Sequence, residues 1–223
     1  MTRCQSEAHH PNEGFAWTEP TPLDLHVETP RLLVRPFTLE DPPMMFEAIV
    51  ASREALLPWM PWARTDHYTL ASTMEYVATR INRLTKPLPS EGIGVGIFER
   101  DTGLFVGGTG FHDIRRDAAC VETGYWIRAD RQRRGYCTEA MAHWISKLLA
   151  PQSAGGLGFN RVRIFCSADN KASARVPEKL ALTREVMQRQ DYYVPGLGVT
   201  DRLGWGVLAS EWDITSHRPK RAQ

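Results

Sequence analysis

The sequence predicts an α+β fold, a mixed and mostly antiparallel sheet with flanking helices, on three features of its hydrophobic pattern. Apolar residues recur at three and four before residue 85, alternate from Ile93 to Arg128, and return to a helical stripe after Gly135. Taken in order, Glu28 to Phe37 alternates and reads as a first strand. Asp41-Pro42 opens a helix to Arg53, with the carboxylate as cap and proline at the first helical position. Its pairs Met45 with Ile49 and Phe46 with Val50 lie four apart and give it a core face. Met74, Val77, Ile81 and Leu84 mark a second helix, preceded by Ser72 and Glu75 at capping-box spacing.

Ile93 to Arg100, Leu104 to Asp113 and Cys120 to Arg128 follow as an antiparallel meander, with turns at Asp101-Thr102-Gly103 and near Arg116-Asp117. Ala140, Met141, Trp144, Ile145, Leu148 and Leu149 then form one apolar helical stripe stopped by Pro151. Val162, Ile164 and Cys166 alternate in a further strand, Lys171 to Leu180 reads as helix, and Thr183 to Tyr193 with Arg202 to Ser210 closes the chain as a hairpin around Pro195-Gly196.

A chain of 223 residues suits one hydrophobic core. The expected organisation is a polar arm over residues 1–24, where His9 and His10 decorate the tail, a single domain over 25–214, and a basic tail over 215–223. Lys and Arg total 27 against 26 acids, a net charge of +1, so no overall field favours nucleic acid or anionic membrane. No apolar run approaches a membrane span and the first ten residues lack a signal peptide's apolar stretch, which predicts a cytoplasmic protein. Cys4, Cys120, Cys137 and Cys166 form no CxxC pair, which fits reduced thiols and argues against a metal site.

The chemistry concentrates between Glu122 and Ala140, where a strand leads through a basic loop containing Gly135 into a helix. Backbone N–H groups of such a loop, with the positive end of the helix, suit a pyrophosphate, and Arg131, Arg133 and Arg134 add charge. On charge and spacing alone, a solvated basic loop capping an ordinary helix remains the alternative. Gly107-Gly108-Thr109-Gly110 lacks dinucleotide-loop spacing, no Gly-Lys-Ser/Thr occurs, and these glycines read as sites of close backbone packing.

Gln132-Arg-Arg-Gly135-Tyr-Cys137-Thr-Glu-Ala140 resembles the coenzyme A pyrophosphate motif of GNAT N-acetyltransferases, Gln/Arg-x-x-Gly-x-Gly/Ala. Asn170-Lys-Ala-Ser173, running on to Lys179-Leu180, is similar to the family's following helix, and Glu28-Thr-Pro-Arg-Leu-Leu-Val-Arg35 to its opening strand. The resemblance spans Glu28 to Trp212 and points to the branch that acetylates ribosomal-protein N-termini. It implies the GNAT fold, with the sheet splayed between its fourth and fifth strands, and acetyl-CoA as co-substrate. By the same resemblance Ile127 and Arg128 supply backbone contacts, Gln132, Arg133, Arg134, Gly135, Tyr136, Cys137 and Thr138 cradle the pyrophosphate, and Asn170 and Ser173 contact the coenzyme arm. Dimers occur in the family, so a homodimer is compatible.

Direct attack on the thioester needs a neutral amine, and an α-amine with pKa of about 8 is largely protonated at neutral pH, so a base is required. Glu122 is the candidate, sharing a strand face with Gly124 and Trp126; a surface carboxylate paired with an arginine is the competing reading. His112 is the fallback. Ser173, Tyr192 or Tyr193 could protonate the thiolate, and Trp59 and Trp62 line the amine pocket or pack a helix junction. The acceptor is a protein N-terminus or a small amine such as a polyamine, amino acid or antibiotic; a non-catalytic acyl-CoA sensor is the reading from another class. Three departures qualify the match. Cys137 replaces Gly or Ala at a helix start among arginines, where a low thiol pKa would make it reactive. Pro177 falls inside the helix after Asn170 and predicts a kink. Ala181-Leu182 stands where Gly-Phe is usual.

Overall fold

The computed structural model describes residues 17–85, 87 and 92–220. Paired histidines 9 and 10 and Cys4 lie outside them. The chain runs β1 (Val27–Glu28), β2 (Leu32–Arg35), α1 (Pro42–Leu56), α2 (Leu70–Arg83), β3 (Ile93–Glu99), β4 (Phe105–Arg115), β5 (Cys120–Ile127), α3 (Tyr136–Leu149), β6 (Arg161–Ser167), α4 (Lys171–Lys179), β7 (Thr183–Val194) and β8 (Gly198–Leu208), then a small hairpin, β9 (Trp212–Asp213) with β10 (Arg218–Pro219). Eight strands form one sheet in the order β1-β2-β3-β4-β5-β6-β8-β7. Every neighbouring pair is antiparallel except β5 with β6, as a βα unit requires.

Three local expectations change. The first strand divides, because Pro30 has no N–H to give a ladder and Thr29 folds back, its N–H donating to Leu32 O at 2.9 Å. The opening expected between the fourth and fifth strands therefore lies between β5 and β6. Asp41 does not cap α1 with its side chain; its buried carboxylate takes two hydrogen bonds from Arg35, at 2.7 and 2.9 Å, and one from Thr38 N–H. The capping box of α2 is Thr69 with Ser72, one turn before the expected pair.

Two apolar layers cover the sheet. On one face α3 sets Met141, Trp144, Ile145 and Leu148 against Phe111, Val121, Val162 and Ile164. On the other, α1 and α2 set Met45, Ala48, Ile49 and Val77 against Phe98 and Phe105, while Val50 and Met74 are exposed. Burying a large apolar side chain contributes about 1.5–3 kcal/mol. These layers thus clamp β2 to β5 from both sides. Before β1, Trp17 docks on the α3 layer, stacked on Phe159 with centroids 4.5 Å apart, its Nε1 donating to Leu157 O at 2.7 Å.

Candidate active site

The strands β5 and β6 pair only over Cys120–Glu122 with Arg161–Arg163. Beyond Glu122 they separate. Arg128 N–H donates to Val106 O on β4 at 2.9 Å, so the alternation of an antiparallel ladder turns the amides of Glu122, Gly124 and Trp126 toward β4 as well. Those of Tyr125 and Ile127 point the other way, into the opening. This corrects Arg128: its N–H is taken, its carbonyl accepts from Arg131 N–H, and its buried guanidinium binds Asp130, Glu47 and Phe105 O away from the opening.

After β5 the chain makes a short 3-10 turn, Ala129–Arg131, and enters α3 through Gly135 at φ +82°, a left-handed conformation that glycine adopts without strain. The first helical hydrogen bond runs from Glu139 N–H to Gly135 O, so the N–H groups of Tyr136, Cys137 and Thr138 have no acceptor within the helix. Tyr136, Cys137 and Thr138 line a cavity of 740 Å³ together with Gln132, Arg133 and one side of α4. Among the described residues the lining carries Arg131, Arg133, Lys171, Arg175 and Lys179 and no carboxylate. Lys171, Arg175 and Lys179 repeat every four residues, one face of α4; sequence reading passed over this spacing. Arg134 is exposed and outside the lining, and its carbonyl accepts from Arg31 Nη1 at 3.1 Å. Gln132 turns its amide back onto Ile127 O at 3.1 Å, so its side chain tethers the loop to β5.

Two carboxylates, Glu139 on α3 and Glu99 on β3, tie the loop and the start of α3 to the β1–β3 segment. Glu139 accepts from Thr29 Oγ1 at 2.6 Å and from Arg31 N–H and Nε at 2.9 and 2.7 Å. Desolvation would raise its pKa, but these bonds and the Arg31 charge overcome it and hold the carboxyl below its ordinary range. Glu99 accepts from Arg131 Nε and Tyr136 Oη, each at 3.1 Å. Cys137 does not fit the reactive reading: burial pushes its thiol up to about 12, and the sulfur packs against the core.

Asn170 caps α4, its Oδ1 accepting from Ser173 N–H at 3.0 Å. Pro177 lies within α4 without ending it. Its missing N–H would have served Ser173 O, one turn back; Tyr125 Oη donates to that carbonyl instead, at 2.9 Å, bridging β5 to α4. The Ser173 hydroxyl lies 3.4 Å from the same Oη. Burial pushes the Tyr125 phenol well above its ordinary value, which keeps it a donor.

A second cavity, of 440 Å³, opens on the α1–α2 side of β5. It contains Glu122, Gly124 and Trp126 on their shared face, with His112, Tyr192, Trp59 and Trp62. Glu122 Oε1 lies 3.2 Å from His112 Nε2, its side chain 16% exposed. Burial raises the Tyr192 phenol, whereas Tyr193 is 68% exposed and points elsewhere. Trp62 lines this cavity and packs with its ring centroid 5.6 Å from that of Trp126 on β5. Trp59, Met60, Tyr125, Trp126, Asn170 and Ser173 line both cavities. There the cationic cavity meets the one holding the carboxylate.

The chain is similar to known proteins in sequence and in fold. Residues 31–183 match the family described as acetyltransferase (GNAT) domain. A Bacillus subtilis (strain 168) protein described as uncharacterized N-acetyltransferase YoaA is 30% identical over 174 residues, 76% of this chain and 89% of its own length. A second from the same organism, putative ribosomal N-acetyltransferase YdaF, is 25% identical over 183 residues, 82% of this chain and 93% of its own. Among solved structures, RimL, a ribosomal α-N-protein acetyltransferase in complex with coenzyme A, aligns with a TM-score of 0.70 at 18% identity, over 82% of this chain and 97% of that one. Among the described residues no helix is long and apolar enough to cross a membrane.

Proposed function

Since the chain belongs to the GNAT acetyltransferase family, whose members take acetyl from acetyl-CoA, we propose that it acetylates the N-terminal α-amine of a protein, with Glu122 as general base. One observation carries this reading: a cationic cavity and a carboxylate-bearing cavity meet at Tyr125, Trp126 and Ser173. The name of the relative that is 25% identical supports a ribosomal-protein acceptor.

The residues present fit the donor. The free N–H groups of Tyr136, Cys137 and Thr138, with Arg133, Lys171, Arg175 and Lys179, offer donors and charge to its phosphates. The amides of Tyr125 and Ile127 face the opening and suit its extended arm. The thioester supplies an activated acetyl group. Glu122, with His112 beside it, accepts the proton of the attacking amine, directly or through water. Nitrogen forms a bond to the acetyl carbon, the carbon–sulfur bond breaks, and the thiolate takes a proton from Ser173 or Tyr192, both of which line the acceptor cavity.

The test is CoA release from acetyl-CoA across N-terminal peptides, polyamines and aminoglycosides, with calorimetric acetyl-CoA binding on the same sample. Binding with turnover on peptides supports the reading; turnover confined to small amines moves the acceptor class. Binding without turnover favours an acyl-CoA sensor. Glu122→Gln is expected to lower turnover about 100-fold with acetyl-CoA affinity little changed, and unaltered turnover removes Glu122 from the mechanism.

A further inference from the structure

The acceptor cavity contains one arginine and no lysine among its described lining residues, and that arginine is Arg80 on α2. Helical spacing puts Thr73 and Val77 of α2 into the core, while Tyr76 and Arg80, one turn apart, flank the cavity. The Arg80 guanidinium lies over the Tyr76 ring, 4.6 Å from its centroid, a contact that fixes its position without using its hydrogen-bond donors.

Three other arginines near this cavity are committed to carboxylates: Arg35 to Asp41, Arg128 to Glu47 and Asp130, Arg131 to Glu99; Arg133 and Arg175 line the larger cavity instead. Arg80 has no carboxylate within bonding distance among the described residues, and Glu122, the one acid of the lining, lies with His112. The cavity is therefore dipolar, a carboxylate for an amine and an unmatched guanidinium. The aromatic rings of Trp62, Tyr76 and Trp126 line the same cavity.

We infer that Arg80 selects an acceptor carrying a carboxylate near its amine, such as a protein N-terminus followed by Asp or Glu. The planar guanidinium receives a carboxylate through paired N–H bonds while the amine is directed to Glu122. This inference rests on the acetyltransferase reading above and adds a substrate class to it.

The experiment compares kcat/KM for matched acceptors. One arm uses short peptides with Glu or Gln after the first residue; the other uses small amino dicarboxylates and their amides. Each is run with the wild type, Arg80→Gln and Arg80→Lys, with acetyl-CoA binding recorded as a check on folding. The expected result is a preference for the acid of roughly tenfold or more, carried mainly by KM. It should fall to about one in Arg80→Gln and be partly kept in Arg80→Lys, and the arm that shows it identifies the source of the carboxylate. Turnover without preference, or a preference that survives in Arg80→Gln, overturns the inference and leaves the acetyltransferase reading standing. Absence of turnover with every acceptor overturns both.

Discussion

The phenol of Tyr125 completes the hydrogen bonding of Ser173, donating to its carbonyl at 2.9 Å where Pro177 has no N–H to offer. A defect in one helix is thus made good by a strand across the opening, and the repair ties the two walls of the site together.

The tie is separable by a double-mutant cycle. Tyr125→Phe leaves a half-buried carbonyl without its donor and is expected to cost about 1–3 kcal/mol in urea denaturation. In a Pro177→Ala background the restored N–H serves the carbonyl, so the same Tyr125→Phe change is expected to cost about 1 kcal/mol less. Equal costs in both backgrounds would show that the two residues do not share this acceptor.

Glu139 carries a pH dependence whose sign follows from its lowered pKa. A carboxyl depressed in the folded state stabilises above its ordinary value of 4.5, and that stability is lost as pH falls through the lower folded value. Glu139→Gln is expected to flatten the stability curve below pH of about 4.5 and to weaken acetyl-CoA binding, because Arg31 no longer holds the first turn of α3. Thermal melts across acid pH, compared between the two proteins, check this.

Cys137 is expected to resist alkylation. With its thiol at about 12, only about one molecule in ten thousand is thiolate at a pH of about 8, so iodoacetamide should leave Cys137 unlabelled in mass spectra of the native protein. Labelling at the rate of a free cysteine would mean that the sulfur is not packed as described.

The cation row on α4 predicts a salt-sensitive site. Arg175→Glu reverses one of five charges lining the larger cavity and is expected to weaken acetyl-CoA binding by about tenfold at low salt. The difference from wild type should shrink in about 0.5 M salt, where the Debye length falls to a few ångströms. Calorimetric titrations at two ionic strengths read it directly.

Sequence revealed the elements whose signal is local. The stripe from Ala140 to Leu149, the meander from Ile93 to Arg128 and Gly135 at the head of α3 are each specified within a few residues, and the structure contains all three. What the sequence concealed depends on partners far along the chain. Asp41 looks like a helix cap until Arg35 claims its carboxylate. Gln132 sits in the motif and Arg128 just before it, yet their side chains are spent on Ile127 and on Glu47 with Asp130. Pro177 looked disruptive because the residue that compensates for it lies 52 positions earlier, at Tyr125. Lys171, Arg175 and Lys179 were legible as a four-residue repeat, but only the loop they face gives that repeat a purpose.

The short seam between β5 and β6 leaves an unpaired strand edge inside the sheet, and exposed edges ordinarily invite another strand and aggregation. Here the first turn of α3 and the flank of α4 stand on either side of it. The walls that guard the edge therefore leave its outward N–H groups, at Tyr125 and Ile127, accessible only from the cavity between them.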